Sequence, residues 1–155
     1  MGKMEKERGL VLTISEPYIV TIDYTKTWEE HINLAGFVGV NKNITSECFE
    51  INGDGVVSAK IVFLSFNTQI YELEVGKARE ENGLRPISFE HQLAFSAQYP
   101  KIRDKRVNLD SKWQCNCSIV YSPYQHMWLD RWELSLARRH NLCWDENVKF
   151  FALKE

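Results

Sequence analysis

The chain of 155 residues is close to the usual size of one domain and short for two. Apolar residues make up 44%, charged residues 26%, and the formal net charge is −2. This is ordinary globular usage; it excludes a wholly disordered chain and provides no global field to draw nucleic acid or a membrane surface. The N-terminal Met1–Arg8 stretch is charged and lacks an apolar signal-peptide core, and no apolar run approaches the roughly 18 residues of a spanning helix. Four cysteines are too few for a disulfide scaffold in a chain able to build a core. Together these features predict a single soluble, cytoplasmic α+β domain over residues 1–155, with residues 1–8 a flexible tail.

In chain order, Gly9–Ser15 reads as a strand and Ser15-Glu16-Pro17 as a turn. Tyr18–Tyr24, β-branched and aromatic, reads as a second strand pairing with the first. Thr27-Trp28-Glu29-Glu30 is a capping box and predicts a short helix to about Gly36. Asn52-Gly53-Asp54-Gly55 is a turn, and the nearly continuous apolar run Val56–Phe66 predicts a central strand buried on both faces. Between Thr68 and Glu81, Ile70, Leu73 and Val75 suit a strand and Lys77–Glu81 a helix, stopped by Gly83 and Pro86. Phe89, Leu93 and Ala97 recur every four residues, giving a helix from near Ser88 that Pro100 ends.

Lys112–Tyr121 reads as a strand with Trp113, Cys115 and Cys117 on one face. For Ser122–Asn141 two periods compete. Ser122-Pro123 with Gln125 resembles a helix start, and Tyr124, Trp128, Trp132 and Leu136 share a helical face, which places helix slightly ahead. Trp132, Leu134 and Leu136 also alternate, so Arg131–Ala137 suits a strand pairing with Val148–Leu153. The expected architecture is therefore a mainly antiparallel sheet of five or six strands with two to four packed helices.

Nucleophile elbow, His-Glu-x-x-His, phosphate loop and dinucleotide fingerprint are all absent, so no catalytic residue is assigned. Cys115-x-Cys117 with His140-x-x-Cys143 is a weak candidate for a tetrahedral metal site, with His126 a spare ligand. Buried cysteines on one strand face account for the pair more simply, so no metal or cofactor is predicted. Asp110-Ser111-Lys112, with Asp104 or Glu90 upstream, shares part of the pattern by which carboxylates hold Mg²⁺ and a lysine stabilises charge, although a solvated loop has the same residues. The basic run Lys101-Ile102-Arg103-Asp104-Lys105-Arg106, with Arg138-Arg139-His140, could contact phosphates, but the slightly acidic total disfavours nucleic acid. His31 and His91 read as ordinary surface histidines.

Aromatics crowd the last third of the chain, and Trp128, Trp132 and Trp144 are the candidate binding residues, since tryptophan anchors interfaces as well as cores. The function this predicts is a non-enzymatic protein-interaction, inhibitor or adaptor domain. Its partner would be another protein and not a membrane, and a homo-oligomer is compatible with the same features. The alternatives are a small metal-dependent hydrolase or nuclease and a weak nucleic-acid-binding module.

Overall fold

The computed structural model describes residues 9–114, 119–139 and 143–155. The expected tail over 1–8 lies outside them. The described chain is α+β, but its main sheet has nine strands and is mixed, where five or six were expected. In chain order the strands are β1 (Leu12–Ile14), β2 (Tyr18–Asp23), β3 (Gly39–Val40), β4 (Val56–Phe66), β5 (Ile70–Tyr71), β6 (Arg106–Val107), β7 (Trp113–Gln114), β8 (Val120–Trp128), β9 (Arg131–Arg139), β10 (Cys143–Trp144) and β11 (Lys149–Lys154). Among the described residues three helices accompany them: α1 (Trp28–Leu34), α2 (Glu72–Glu81) and α3 (Phe89–Gln98). The sheet runs β1-β4-β11-β6-β8-β9-β3, with β2 beside β4 and β7 beside β8, while β5 and β10 form a separate pair. Among the described strands only β11/β6 and β3/β9 are parallel. No helix among the described residues is long and apolar enough to cross a membrane.

The predicted central strand is β4, which pairs with β11 on one side and with β1 and β2 on the other. Its alternation sorts the two faces. Ile61 and Phe63 pack with Ala94 and Phe95 of α3, whereas Val62 and Leu64 pack with Val75 and Ala78 of α2. The sheet is therefore covered on both faces. Each of the Ile, Val, Leu and Phe side chains among them, fully buried, stabilises the fold by about 1.5–3 kcal/mol. Burial on both faces holds only from Ile61 onward, because Val56, Val57 and Ser58 run out beyond the helices into solvent.

Helix α1 starts where the capping box placed it: the Thr27 hydroxyl accepts from the Glu30 N–H at 3.1 Å, and the Glu30 carboxylate accepts from the Thr27 N–H at 3.0 Å. Helix α3 runs on the Phe89/Leu93 period as expected. Its C-terminal turn guards the free edge of β2: the Gln98 amide accepts from the Thr21 N–H and donates to the Thr21 carbonyl, and the Tyr99 hydroxyl donates to the Ile19 carbonyl. Side chains thus occupy the groups that another strand would otherwise bind.

Several expectations are corrected. Strands β1 and β2 do not pair with each other; both pair with β4 along one edge. Between Ile14 and Tyr18 this edge advances four residues while β4 moves three, from Leu64 to Ile61, which is a bulge. Pro17, with no N–H to offer a ladder, sits in that break. No strand runs through Leu73 and Val75, since α2 begins directly after β5. Nor is Lys112–Tyr121 one strand: Trp113 and Gln114 of β7 pair antiparallel with Tyr121 and Val120 of β8.

The segment from Ser122 is a hairpin, not a helix. Strands β8 and β9 pair from Val120↔Arg139 to Trp128↔Arg131. Strand β9 does not meet β11, from which β8 and β6 separate it. Pro123 is tolerated because it lies just past the β6 ladder, where its carbonyl still accepts from the Asn108 N–H.

Candidate functional site

The β8–β9 hairpin turns through only two residues, Leu129 and Asp130, with φ of 48° and 63°. Two left-handed residues in succession make the type I′ connection that matches the twist of paired strands. That turn ordinarily takes Asn-Gly or Asp-Gly, since a Cβ is poorly tolerated at positive φ. Here a leucine occupies the first position and is 80% exposed. Trp128 beside it is 59% exposed, and Met127 and Val38 are also exposed. Val38 reaches this end of the molecule because its N–H donates to the Trp132 carbonyl at the start of β9. Beyond Gln125, β8 has no β6 partner, so the last residues of the hairpin extend past the neighbouring strand.

The predicted binding tryptophans separate in space. Trp132 faces inward at 2% exposure, stacks on Phe37 and donates its indole N–H to the Ser96 hydroxyl; it belongs to the core. Trp144 is half-buried and packs edge-on against Phe150, in the separate β5/β10 pair and not in the sheet that carries the hairpin. Trp128 alone of the three presents its ring to solvent.

The basic run expected to form one patch divides as well. Arg106 is buried, its guanidinium over the Phe63 ring at 3.8 Å and bonded to Asp104 at 3.1 Å. Asp104 also accepts from Lys149 at 2.7 Å, and that bond holds its carboxyl below the usual range. The cations before Arg106 meet the hairpin on opposite faces, because Trp132 pairs with Met127 and the next pair, His126 with Glu133, points the other way. The Arg103 guanidinium lies 5.8 Å from the Trp132 ring, and the Lys105 charge bears on His126. Arg131 closes the hairpin opposite Trp128. Among the described residues no carboxylate pairs with Lys101, Arg103, Lys105 or Arg131. The tip thus presents exposed apolar side chains with charges of both signs beside them, Lys105 and Arg131 with Glu133 and Asp130, a juxtaposition no sequence motif signalled.

The other candidate clusters serve the fold where they are described. Cys115, Cys117 and His140 lie outside the described residues, and Cys143 is half-buried in β10 with its thiol toward Gln69. Among the described residues no group of three His, Cys, Asp or Glu side chains is placed to hold a metal ion. Asp110 accepts from the Arg79 guanidinium and from the Ile87 N–H, tying α2 and the start of α3 to the sheet. It lines a shallow depression of about 240 Å³ with Lys112, Ser111 and Ser88. Of its proposed upstream acids, Glu90 is buried and accepts from the Tyr24 hydroxyl, while Asp104 is engaged by Lys149 and Arg106.

The histidines are not ordinary surface groups. His31 is buried, and burial pushes the His91 imidazole below its usual range while its Nδ1 accepts from the Ser88 N–H. His126, the spare metal ligand, is buried and stacked on Tyr124 with its Nε2 3.0 Å from the Ser135 hydroxyl. No family model, curated protein or solved structure matches this chain.

Proposed function

We propose that the chain is a non-enzymatic protein-interaction domain whose docking surface is the β8–β9 hairpin tip with Trp128 as anchor. The observation that carries this reading is Leu129. Its left-handed backbone disfavours a leucine, and at 80% exposure burial does not favour one either. A residue that breaks a local rule without benefit to the fold is the mark of a site kept for another purpose. Trp128 and Met127, the residues before Leu129, are exposed as well, and tryptophan is prominent among the residues that dominate binding energy. Asp110, Asp104 and Glu90 are already committed to partners within the protein, which withdraws support from metal-dependent hydrolysis.

The test compares the protein with a Trp128→Ser/Leu129→Ser double variant in extracts of the source cells. A stoichiometric complex, isolated by size exclusion, should form with the first and be lost in the variant, whose urea transition stays cooperative. A complex indifferent to the double substitution, or turnover of ester or phosphodiester substrates by the purified protein, would overturn the reading.

A further inference from the structure

We propose that the cavity between β2, α1 and α3 binds a small zwitterion of the amino-acid class, with one ammonium, one carboxylate and a short apolar side chain. The cavity measures about 90 Å³. His31 and Leu34 line it from α1, Ala94 and Ala97 from α3, and Asp23 and Lys26 from the end of β2 and the turn after it. It is separate from the hairpin: β2 borders β4, while β11 and β6 stand between β4 and β8.

Polar groups on this lining lack partners among the described residues. His31 is only 7% exposed, yet its Nε2 makes no hydrogen bond. A buried polar atom is rarely left so in a folded protein, because its lost hydration has to be replaced. Asp23 gives one carboxylate oxygen, Oδ1, to the Thr25 hydroxyl and N–H at 2.6 and 3.0 Å, and its Oδ2 stays unbonded. Those two bonds first, then the nearby Lys26 and His31, hold the Asp23 carboxyl below its usual range. The Lys26 ammonium has no carboxylate partner.

These groups define the guest. Asp23 Oδ2 suits an ammonium, while Lys26 and the His31 Nε2–H suit a carboxylate. The apolar part of the guest would cover Ala94, Ala97 and Leu34, which is 55% exposed. A volume equal to about three waters admits an alanine-sized molecule and excludes a drug-sized one. The walls are set in advance. Gln98, which also lines the cavity, is bonded to both backbone groups of Thr21, and the Thr27 capping box fixes the start of α1.

The experiment follows the backbone amide shifts of the whole isotope-labelled protein during titration with alanine, propionate or isopropylamine. Alanine should bind in the millimolar range and move the amides of Asp23, Lys26 and His31. Propionate and isopropylamine, each lacking one charge, should bind about tenfold more weakly. Asp23→Asn should weaken alanine about tenfold and spare propionate, and Lys26→Gln should weaken both and spare isopropylamine. Ala97→Leu, at a half-buried position, should fill the cavity and abolish alanine binding while the urea transition stays cooperative.

No amide shift with alanine well above millimolar concentration overturns the proposal. Equal affinity for propionate or isopropylamine overturns it as well, since the site would then read a single charge. Alanine binding that survives Ala97→Leu would place the ligand elsewhere and also sink it.

Discussion

Tyr24 and Glu90 show how single side chains tie distant parts of this chain together. The phenol donates to the buried Glu90 carboxylate at 2.7 Å, and its ring lies against Gly53, where an added Cβ would sit 2.6 Å from ring carbons. Since the hydrogen bond anchors the ring, it cannot swing aside for an alanine at position 53. Burial first, and the Glu90 carboxylate second, push the Tyr24 phenol above the ordinary tyrosine range. In the unfolded chain the proton leaves near the ordinary value of about 10, and in the folded one later. The stabilisation is therefore complete below about pH 10 and is lost as pH rises through the window above it. Tyr24→Phe should cost about 1–2 kcal/mol at neutral pH by leaving a buried acceptor unpaired, and should flatten the alkaline decline. Urea midpoints at pH 7 and at about pH 10–11 check both, and equal alkaline slopes in the two proteins would refute the account. Nothing in the sequence paired residues 24 and 90. Arg106 is a similar case: its neighbours suggest a solvated cation, but its place opposite Gln125 turns it inward over Phe63 and Phe95.

At the scale of elements, the hairpin shows the limit of periodicity. Tyr124, Trp128, Trp132 and Leu136 fit a helical stripe, while Trp132, Leu134 and Leu136 fit alternation, and both patterns rest on the same residues. Leu129-Asp130 lacks the glycine or asparagine that normally marks a two-residue turn, so the strongest local hairpin signal is missing. Replacing Leu129-Asp130 with Asn-Gly should raise stability by about 1 kcal/mol, because those residues suit positive φ. The same replacement should abolish docking if Leu129 serves a partner, separating the fold's interest from the site's. Thermal midpoint and complex formation are the two readouts. A lowered midpoint would mean that Leu129 is held by something other than an unfavourable turn. By contrast, helix α1 was fully legible, since the capping box is a local reciprocal interaction that needs no tertiary partner.

For the whole molecule, β4 is the element on which both layers depend. Ile61 is fully buried between Tyr18 of β2 and Leu153 of β11. Ile61→Asp should abolish folding, because an unpaired buried carboxylate costs more than a marginally stable domain can absorb. A soluble variant with a cooperative transition near the original midpoint would show that β4 is not central. The strand count exceeds expectation for a related reason. Strands β3, β5, β6, β7 and β10 are two residues each, too short to carry any periodic signal. Packing brings β3, β6 and β7 beside longer strands, and β5 and β10 beside each other.

What the amino-acid sequence determined by itself is whatever local chemistry can express: the class of fold, the central strand from its apolar run, α1 from its capping box and α3 from its four-residue period. Each depends on residues within one or two turns of each other, so the pattern is complete in the chain. Tertiary structure alone decided the hairpin, the bulge that lays β1 and β2 along one edge, and the inward turn of Trp132 and Arg106. It also decided the meeting of Lys105 with His126, which lies more than twenty residues further along the chain. Register between β6 and β8 fixes that meeting, and register is set by burial of whole faces at once, a condition that no short window of sequence contains.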